Sequence, residues 1–135
     1  MVDSSSGDHC VNADKELPDH EVESSPGQQN GQTMETACKG ILHNHGQILV
    51  DFETQEGIRS NVTFQNVKVS TPILSVRKLV RKGHQVAFRK GGGTITAAET
   101  GDQMEFVDRG GVYYIKLKIL PAKPKSTKSD FIRRG

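Results

Sequence analysis

Residue types that characterise several large protein classes are scarce in this chain of 135 residues. Its two cysteines, Cys10 and Cys38, are too few for a disulfide scaffold or for a four-cysteine zinc site. No run of 18 or more apolar residues occurs, which argues against a membrane-spanning helix. The first residues also lack the basic and apolar regions of a secretory signal. We therefore expect reduced thiols, no membrane association and a cytoplasmic location.

Aromatic residues are also rare, at 5% of the chain, and the net charge of +2 conceals a gradient along the sequence. Residues 1–35 are strongly acidic, whereas residues 36–120 and 121–135 are both basic. A basic centre favours polyanionic partners, but nucleic-acid surfaces usually combine basic residues with exposed aromatic rings. The charge pattern is therefore only a weak indication of nucleic-acid binding.

Large aliphatic residues and phenylalanine concentrate in the centre of the chain, and 26 of the 32 Val, Ile, Leu and Phe residues fall between residues 38 and 120. Residues 12–33 are rich in acidic residues, Gly, Pro, Ser and Gln, which predicts a long loop or a disordered insert. Residues 121–135 have the composition of a basic linker. We expect one domain over residues 1–120, followed by this basic tail.

Apolar residues in the central region recur mostly with a period of two, which is typical of half-buried β-strands. Glycine-containing pairs and triplets separate these runs and predict turns between antiparallel strands. The alternating positions are Ile48, Val50 and Phe52; Ile58 to Phe64; Val67 and Val69; Val86 and Phe88; Ile95 and Ala97; Met104 and Phe106; and Tyr113, Ile115, Leu117 and Ile119. The predicted class is an all-β, mainly antiparallel fold.

One segment, residues 75–82, departs from this period and predicts a short helix. Ser75 is a suitable N-cap, Gly83 can end the helix in a left-handed conformation, and Val76, Leu79 and Val80 form an apolar face. The opposite face carries four basic residues, Arg77, Lys78, Arg81 and Lys82. A solvated helix face is the ordinary interpretation of such a charge cluster.

Three stretches, in this order, resemble retropepsin-like aspartic protease domains of Copia-type retrotransposon polyproteins, which are retrovirus-related Pol polyproteins. The first, Val2-Asp3-Ser4-Ser5-Ser6-Gly7-Asp8-His9, is similar to the active-site turn of that family, Asp-Ser/Thr-Gly-Ala/Ser. The second, Pro72-Ile73-Leu74-Ser75-Val76 with Leu79 and Gly83, is similar to the family's Leu-Leu-Ser-Val segment. Gly93 to Ile95, Thr100-Gly101 and Gly111-Val112-Tyr113 also fit, so the resemblance covers about residues 2–120.

The resemblance implies a small closed β-fold, in which each subunit of a homodimer supplies one catalytic aspartate to a shared active site. Asp3 would be that aspartate, Ser4 would supply the hydroxyl that bonds across the dimer, and Ser5 would occupy the third position of the turn. The substrate would be a polyprotein or a peptide, with no cofactor and no metal, and the location would be the cytoplasm or a retroelement particle. The activity would need acidic conditions, since one carboxyl must be protonated and the other ionised.

Position 5 departs from the family pattern because it is serine where the family has glycine. A side chain held in a conformation that needs glycine costs on the order of 1 to 3 kcal/mol. The alternative function is therefore a degenerate, inactive copy of the fold, which acts only as a dimerisation or peptide-binding module. Only Met1 and Val2 precede Asp3, where the family has a strand, so we also expect either a fragment of a longer polyprotein or a decayed copy.

The flap that closes over substrate in this family would correspond to residues 34–50, with a tip at Cys38, Lys39 and Gly40. An ordinary hairpin is the alternative for that region. The resemblance also implies that Ile73, Leu74 and Ser75 form a structural motif of the fold.

Other chemistry is weakly indicated. His43 and His45, together with Cys38 and Cys10, match no zinc pattern, although residues two apart on a strand share a face. His9 and Cys10 are neighbours, and neighbouring strand residues point to opposite faces, which disfavours a Cys/His nucleophile pair. Nucleic-acid binding through the basic helix face and the tail stays open as a minor alternative.

Overall fold

β-strands form most of the regular structure in the computed structural model, which describes residues 1–36 and 40–122. The strands are β1 (Val2–Asp3), β2 (Cys10–Val11), β3 (Thr33–Thr36), β4 (Gly40–His43), β5 (Gln47–Thr54), β6 (Arg59–Asn66), β7 (Leu74–Ser75), β8 (Gln85–Arg89), β9 (Gly92–Thr96), β10 (Gln103–Arg109), β11 (Val112–Tyr114) and β12 (Leu117–Ile119). The helices are α1 (Ala13–Glu16), α2 (Pro26–Gln29) and α3 (Val76–Arg81). The predicted all-β class is confirmed at this level, with three short helices where one was predicted.

These strands form three sheets. The six-stranded sheet has the order β7-β1-β11-β10-β9-β8, the four-stranded sheet has the order β12-β5-β6-β2, and β3 pairs with β4 as a separate hairpin. All pairs are antiparallel except β1 with β7 and β2 with β6. Both larger sheets have free edges in the described part of the chain. The protein interior is therefore enclosed by curled sheets packed on each other, and strand pairing alone does not produce a continuous closed barrel.

The core follows from the alternating residues. In β5, Ile48, Val50 and Phe52 point inwards, as predicted. Ile48 and Val50 pack with Phe64 of β6 on the inner side of the four-stranded sheet, and these side chains belong to the first core cluster. Val2, Ile95 and Phe106 form a second cluster on the six-stranded sheet. Burial of these side chains contributes roughly 1.5 to 3 kcal/mol each.

The predicted helix is present as α3, and its ends are as expected. The Ser75 hydroxyl accepts the N–H of Lys78, and Gly83 has a φ of 95° just after the helix. Val76 and Leu79 pack on the second core cluster. The assignment of Val80 to the apolar face is wrong, because Val80 is 54% exposed.

Two strand predictions are corrected by the structure. The run from Tyr113 to Ile119 alternates like a single strand, but it divides into β11 and β12, which belong to different sheets. Ile115 lies at the break and contacts both core clusters, so the break carries the chain from one sheet to the other. Val67 and Val69 are buried without being in a strand.

Residues 12–33, predicted as a long loop or a disordered insert, lie mostly outside helices and strands in the structure. The segment contains α1 and α2, and it buries Ala13 and Leu17 in the first core cluster. Ser25 is fully buried and caps α2 by accepting the N–H of Gln28. A few buried residues thus hold a segment whose average composition is polar. Of the predicted tail, residues 123–135 lie outside the described residues.

None of the helices within the described ranges has the length and apolar character that crossing a bilayer requires.

Gly93 on β9 is a position where this fold tolerates little change. A Cβ at Gly93 would overlap the carbonyl oxygen of Ala87 and the ring of Phe106, which is the most buried aromatic side chain of the second cluster. We expect Gly93→Ala to lower the free energy of unfolding by about 2 kcal/mol or more, because backbone and core must both move. Urea denaturation measures this. Gly7→Ala is the control, since no atom lies within 4 Å of a Cβ at Gly7, and an equal loss in both variants would contradict the prediction.

Candidate active site

β1 places Asp3 at the end of a central strand, although this strand has two residues only. It lies between β7 and β11, with Val2 opposite Leu74 and Asp3 opposite Ser75 in the parallel pairing. The Leu74 N–H donates to the Met1 carbonyl at 2.7 Å, and the Val2 side chain is buried. Asp3 is therefore attached to the sheet through a strand of two residues, Val2 and Asp3.

The turn after β1 holds one oxygen of the Asp3 carboxylate. Oδ1 accepts the backbone N–H of Ser5 at 2.8 Å and the Ser5 hydroxyl at 2.7 Å. Asp3 is partly buried, whereas Ser4 and Ser5 are exposed. The Asp3 carboxylate is thus positioned by its own turn and reachable from solvent.

The strain expected from serine at position 5 is absent. In the described ranges no residue other than glycine has a positive φ. Ser5 therefore has an ordinary backbone conformation, while its N–H still reaches the Asp3 carboxylate. The serine changes the chemistry of the turn by adding a hydroxyl donor, and its backbone has no need of glycine.

Ser75 of β7 is the buried support of this turn. It is 0% exposed, and its hydroxyl donates to the Ser6 carbonyl at 2.6 Å while accepting the Lys78 N–H at 3.1 Å. Its own N–H donates to Nδ1 of His9 at 2.9 Å. One serine therefore connects the segment after Asp3 to the start of α3.

An ion pair reinforces the same connection. Lys78 of α3 pairs with Asp8, and Oδ1 of Asp8 also accepts the backbone N–H of His9 at 2.9 Å. Both side chains are partly buried, which reduces solvent screening compared with a surface pair. Asp8 and Lys78 thus hold the end of the turn against the helix.

His9 is buried and neutral. It is 3% exposed, and burial, with a further contribution from the Lys78 charge, lowers its pKa from 6.5 to about 4. Because Nδ1 accepts a hydrogen bond from Ser75, the proton of the neutral ring is assigned to Nε2. His9 acts here as a hydrogen-bond acceptor inside the protein.

Cys10 is buried next to His9, and burial raises the pKa of its thiol to about 12, with a further contribution from Asp8. A thiol with such a pKa stays protonated and is a poor nucleophile. The His9 ring is engaged with Ser75, so these neighbours do not form a nucleophile pair, in agreement with the sequence argument.

A hairpin stands at the position predicted for the flap. β3 and β4 pair from Thr33 opposite His43 to Thr36 opposite Gly40. The hairpin is shorter than predicted, because the chain from Gln47 onwards belongs to β5 in the four-stranded sheet. Gly40 is the first residue of β4, and the other two predicted tip residues, Cys38 and Lys39, lie outside the described residues.

The base of this hairpin faces the segment that follows the Asp3 turn. A cavity of about 170 Å³ lies between them, with Gly7 and Asp8 on one side and Thr33 and Met34 on the other. This arrangement is suitable for holding a side chain of an extended peptide next to the turn.

A buried amide, which the sequence reasoning missed, supports the hairpin. The Asn44 side-chain nitrogen donates to Oε1 of Gln32 at 2.9 Å and to Oε1 of Gln65 at 2.8 Å, and its oxygen accepts the Gly46 N–H at 2.9 Å. The Asn44-His45-Gly46 sequence signals a turn, since asparagine often bonds the backbone two residues on. Nothing local in the sequence reveals the partners Gln32 and Gln65.

The remaining candidate residues do not come together. His43 ends β4 and His45 follows Asn44, and among the described residues no three His, Cys, Asp or Glu side chains are grouped as metal ligands. Comparison of the chain with models of protein families, with curated proteins and with solved structures finds no match.

The contribution of the Ser75 hydroxyl can be tested by measuring the free energy of unfolding of a variant that lacks it. We expect Ser75→Ala to lower the free energy of unfolding by about 1 to 3 kcal/mol, because the Ser6 carbonyl and the Lys78 N–H both lose a buried partner. Ser60→Ala on the exposed part of β6 is the matched control. Urea denaturation at pH 7 measures both variants, and a Ser75→Ala protein as stable as the control would exclude Ser75 as the support of the turn.

The lowered pKa of His9 leads us to expect that the protein loses stability in acid. Above about pH 6.5 the His9 ring is neutral in both the folded and the unfolded chain. Between pH 6.5 and about 4, only the unfolded chain takes up a proton on His9. The free energy of unfolding therefore falls as the pH falls through this range. Below the folded pKa the loss is complete, at about 3 kcal/mol. His9→Asn keeps an acceptor for the Ser75 N–H but does not titrate. Denaturation from pH 7 to pH 3.5 should show this loss in the parent and not in His9→Asn, and parallel curves would contradict the prediction.

Proposed function

We propose that this chain is a retropepsin-like aspartic endopeptidase domain of the Copia retrotransposon type, and that it acts as a homodimer with Asp3 as its catalytic carboxylate. The observation that carries the proposal is the Asp3 turn. It holds a solvent-reachable carboxylate at the end of a strand paired in parallel with β7, and the N–H of the residue two positions on donates to it. The sequence resemblance is the second support for the proposal.

Neighbouring features support the same function. The hairpin of β3 and β4 lies where a flap is expected, and the cavity between its base and Gly7 and Asp8 provides space for a substrate side chain. Ile73 and Leu74 are buried beside β1, and Ser75 supports the turn from below. These contacts support the proposed assignment of the residues to the family motif.

The mechanism requires two such turns that face each other. Two carboxylates held close together share one proton, because ionising both would place like charges side by side. The ionised carboxylate removes a proton from a bound water, which attacks the peptide carbonyl, while the protonated carboxyl donates to the carbonyl oxygen. Asp3 of each subunit would supply one of these groups. Ser4, exposed beside it, would supply the hydroxyl that bonds across the dimer.

One observation favours the alternative, an inactive copy that dimerises or binds peptides. The Ser5 hydroxyl donates to Oδ1 of Asp3, the oxygen that already accepts the Ser5 N–H. A glycine would leave that second position open to the partner aspartate or to water. The hydroxyl therefore competes with the contacts that the shared proton and the attacking water need.

The basic face of α3 offers little support for nucleic-acid binding. Lys78 is engaged with Asp8, which leaves Arg77, Arg81 and Lys82 as the exposed bases. The tail residues that would extend this surface lie outside the described residues. Peptide hydrolysis remains the better supported function.

Cleavage of a mixed peptide library near pH 5 tests the proposal. We expect the parent chain to cleave peptides, and Asp3→Ala to lower the rate by roughly a thousandfold or more, since a group that transfers protons is removed. Asp19→Asn, in an exposed turn elsewhere, is the control and should retain the parent rate. Cleavage that persists in Asp3→Ala would contradict the assignment.

Ser5→Gly separates the two candidate functions. Asp3-dependent cleavage by the parent supports the enzyme. A silent parent whose Ser5→Gly variant cleaves, and loses cleavage again with Asp3→Ala, identifies a decayed enzyme. Silence of both proteins, each shown to be folded, supports the binding module.

A further inference from the structure

A groove of about 830 Å³ lies between the segment that follows α1 and the end of β12. Part of its lining is apolar and consists of Leu17, Pro18, Ile119 and Leu120. Leu17 is buried in the first core cluster, whereas Ile119 is 38% exposed although it belongs to a strand of the four-stranded sheet. The groove therefore leaves apolar surface uncovered directly beside the core.

β12 is an edge strand in the described part of the chain, since it pairs with β5 alone. An edge strand that carries an exposed apolar residue invites pairing with other chains, and natural proteins commonly cover such an edge with a loop or a helix. An occupant of the groove would cover Ile119 at this edge.

The acidic residues of the groove indicate the charge of a suitable occupant. Glu16, Asp19 and Glu21 line it, and no Lys or Arg is among the described lining residues. Lys15 pairs with Glu16 at 3.7 Å, but this pair is exposed to solvent and contributes little. Electrostatic complementarity therefore favours a positively charged segment that also carries apolar side chains.

The chain supplies such a segment directly after the groove. Pro121 and Ala122 belong to the lining, and the sequence continues from there with residues 123–135. These residues include five bases and one acid, and their large apolar side chains are Phe131 and Ile132. The combination of basic and apolar residues matches the acidic and apolar lining.

The covalent connection makes this occupant more effective than a free peptide of the same composition. A tether turns binding into an intramolecular step with an effective concentration in the millimolar range, so modest contacts suffice. The nine residues from Lys123 to Phe131 span up to about 30 Å when extended. The segment is therefore long enough to turn back to the groove.

We propose that this groove binds residues 128–134 of the same chain. Phe131 and Ile132 cover the apolar lining, and the flanking bases pair with Glu16 and Asp19. The contact ties the segment after α1 to β12 and covers the edge of the sheet. It involves no residue of the Asp3 turn, so it is independent of peptide cleavage.

A nitroxide label on Ser129→Cys tests the contact in the full chain at pH 7. Cys38→Ser removes the other thiol outside the core, and Cys10 is 3% exposed and stays unlabelled. The label broadens the amide NMR signals of residues close to it, and the reduced, diamagnetic label gives the reference. The signals of Asp19, His20 and Glu21 report on the groove.

Matched charge reversals test the choice of the groove. Glu16→Lys with Asp19→Lys removes the acidic charge, and Glu99→Lys with Asp102→Lys is the control. The control pair has the same residue types at the same spacing, is exposed and does not line the groove. Urea denaturation confirms that each variant is folded.

We expect the signals of residues 19–21 to broaden in the labelled parent and in the control variant. The broadening should be lost in Glu16→Lys with Asp19→Lys, because like charges then repel. Adding Lys128→Glu, Arg133→Glu and Arg134→Glu to that variant should restore it. Phe131→Ser with Ile132→Ser should also reduce it, since apolar contact is lost.

Absence of broadening in the parent overturns the proposal. Broadening that survives the reversal at Glu16 and Asp19, or that the control variant loses equally, overturns the assignment to this groove. A mixture of isotope-labelled chain without nitroxide and unlabelled chain with nitroxide detects contacts between molecules. Broadening in that mixture would assign the groove to the segment of a second copy and overturn the contact within one chain.

Discussion

The parallel contact between β1 and β7 is the constraint on which the rest of the candidate site depends. β1 has two residues only, so its own hydrogen bonds hold it weakly, and the buried Ser75 compensates by bonding the Ser6 carbonyl, His9 and the start of α3. A 0% exposed serine with all these bonds is costly to disturb. Asp3 owes its position to contacts made by a residue more than seventy positions along the chain.

The same network ties the candidate chemistry to pH in two opposing ways. An aspartate pair needs acid to keep one proton, whereas the buried His9 makes the fold less stable as acid is added. The lower limit of any activity would then be set by the support of the turn, and the upper limit by the carboxylates.

Much of the architecture could be predicted from local pattern. The alternation in β5, the Ser75 cap and the Gly83 end of α3 follow from the spacing of residues alone, and the structure has them. The predictions that were wrong concern packing. Val80 is exposed, and the run from Tyr113 to Ile119 crosses between sheets. A pattern reports whether one face is apolar, but it does not report which element covers that face.

The candidate site also has features that the sequence predicted and features that only the packing of the chain determines. Asp3 was singled out by the resemblance of residues 2–9 and of the Ile73-Leu74-Ser75 segment to one family, and the structure has a turn after Asp3. The buried partners of that turn and of the Asn44 amide under the hairpin depend on contacts across the fold. Only tertiary structure decides these, since hydrogen bonds and desolvation act between groups that the chain brings together from distant positions.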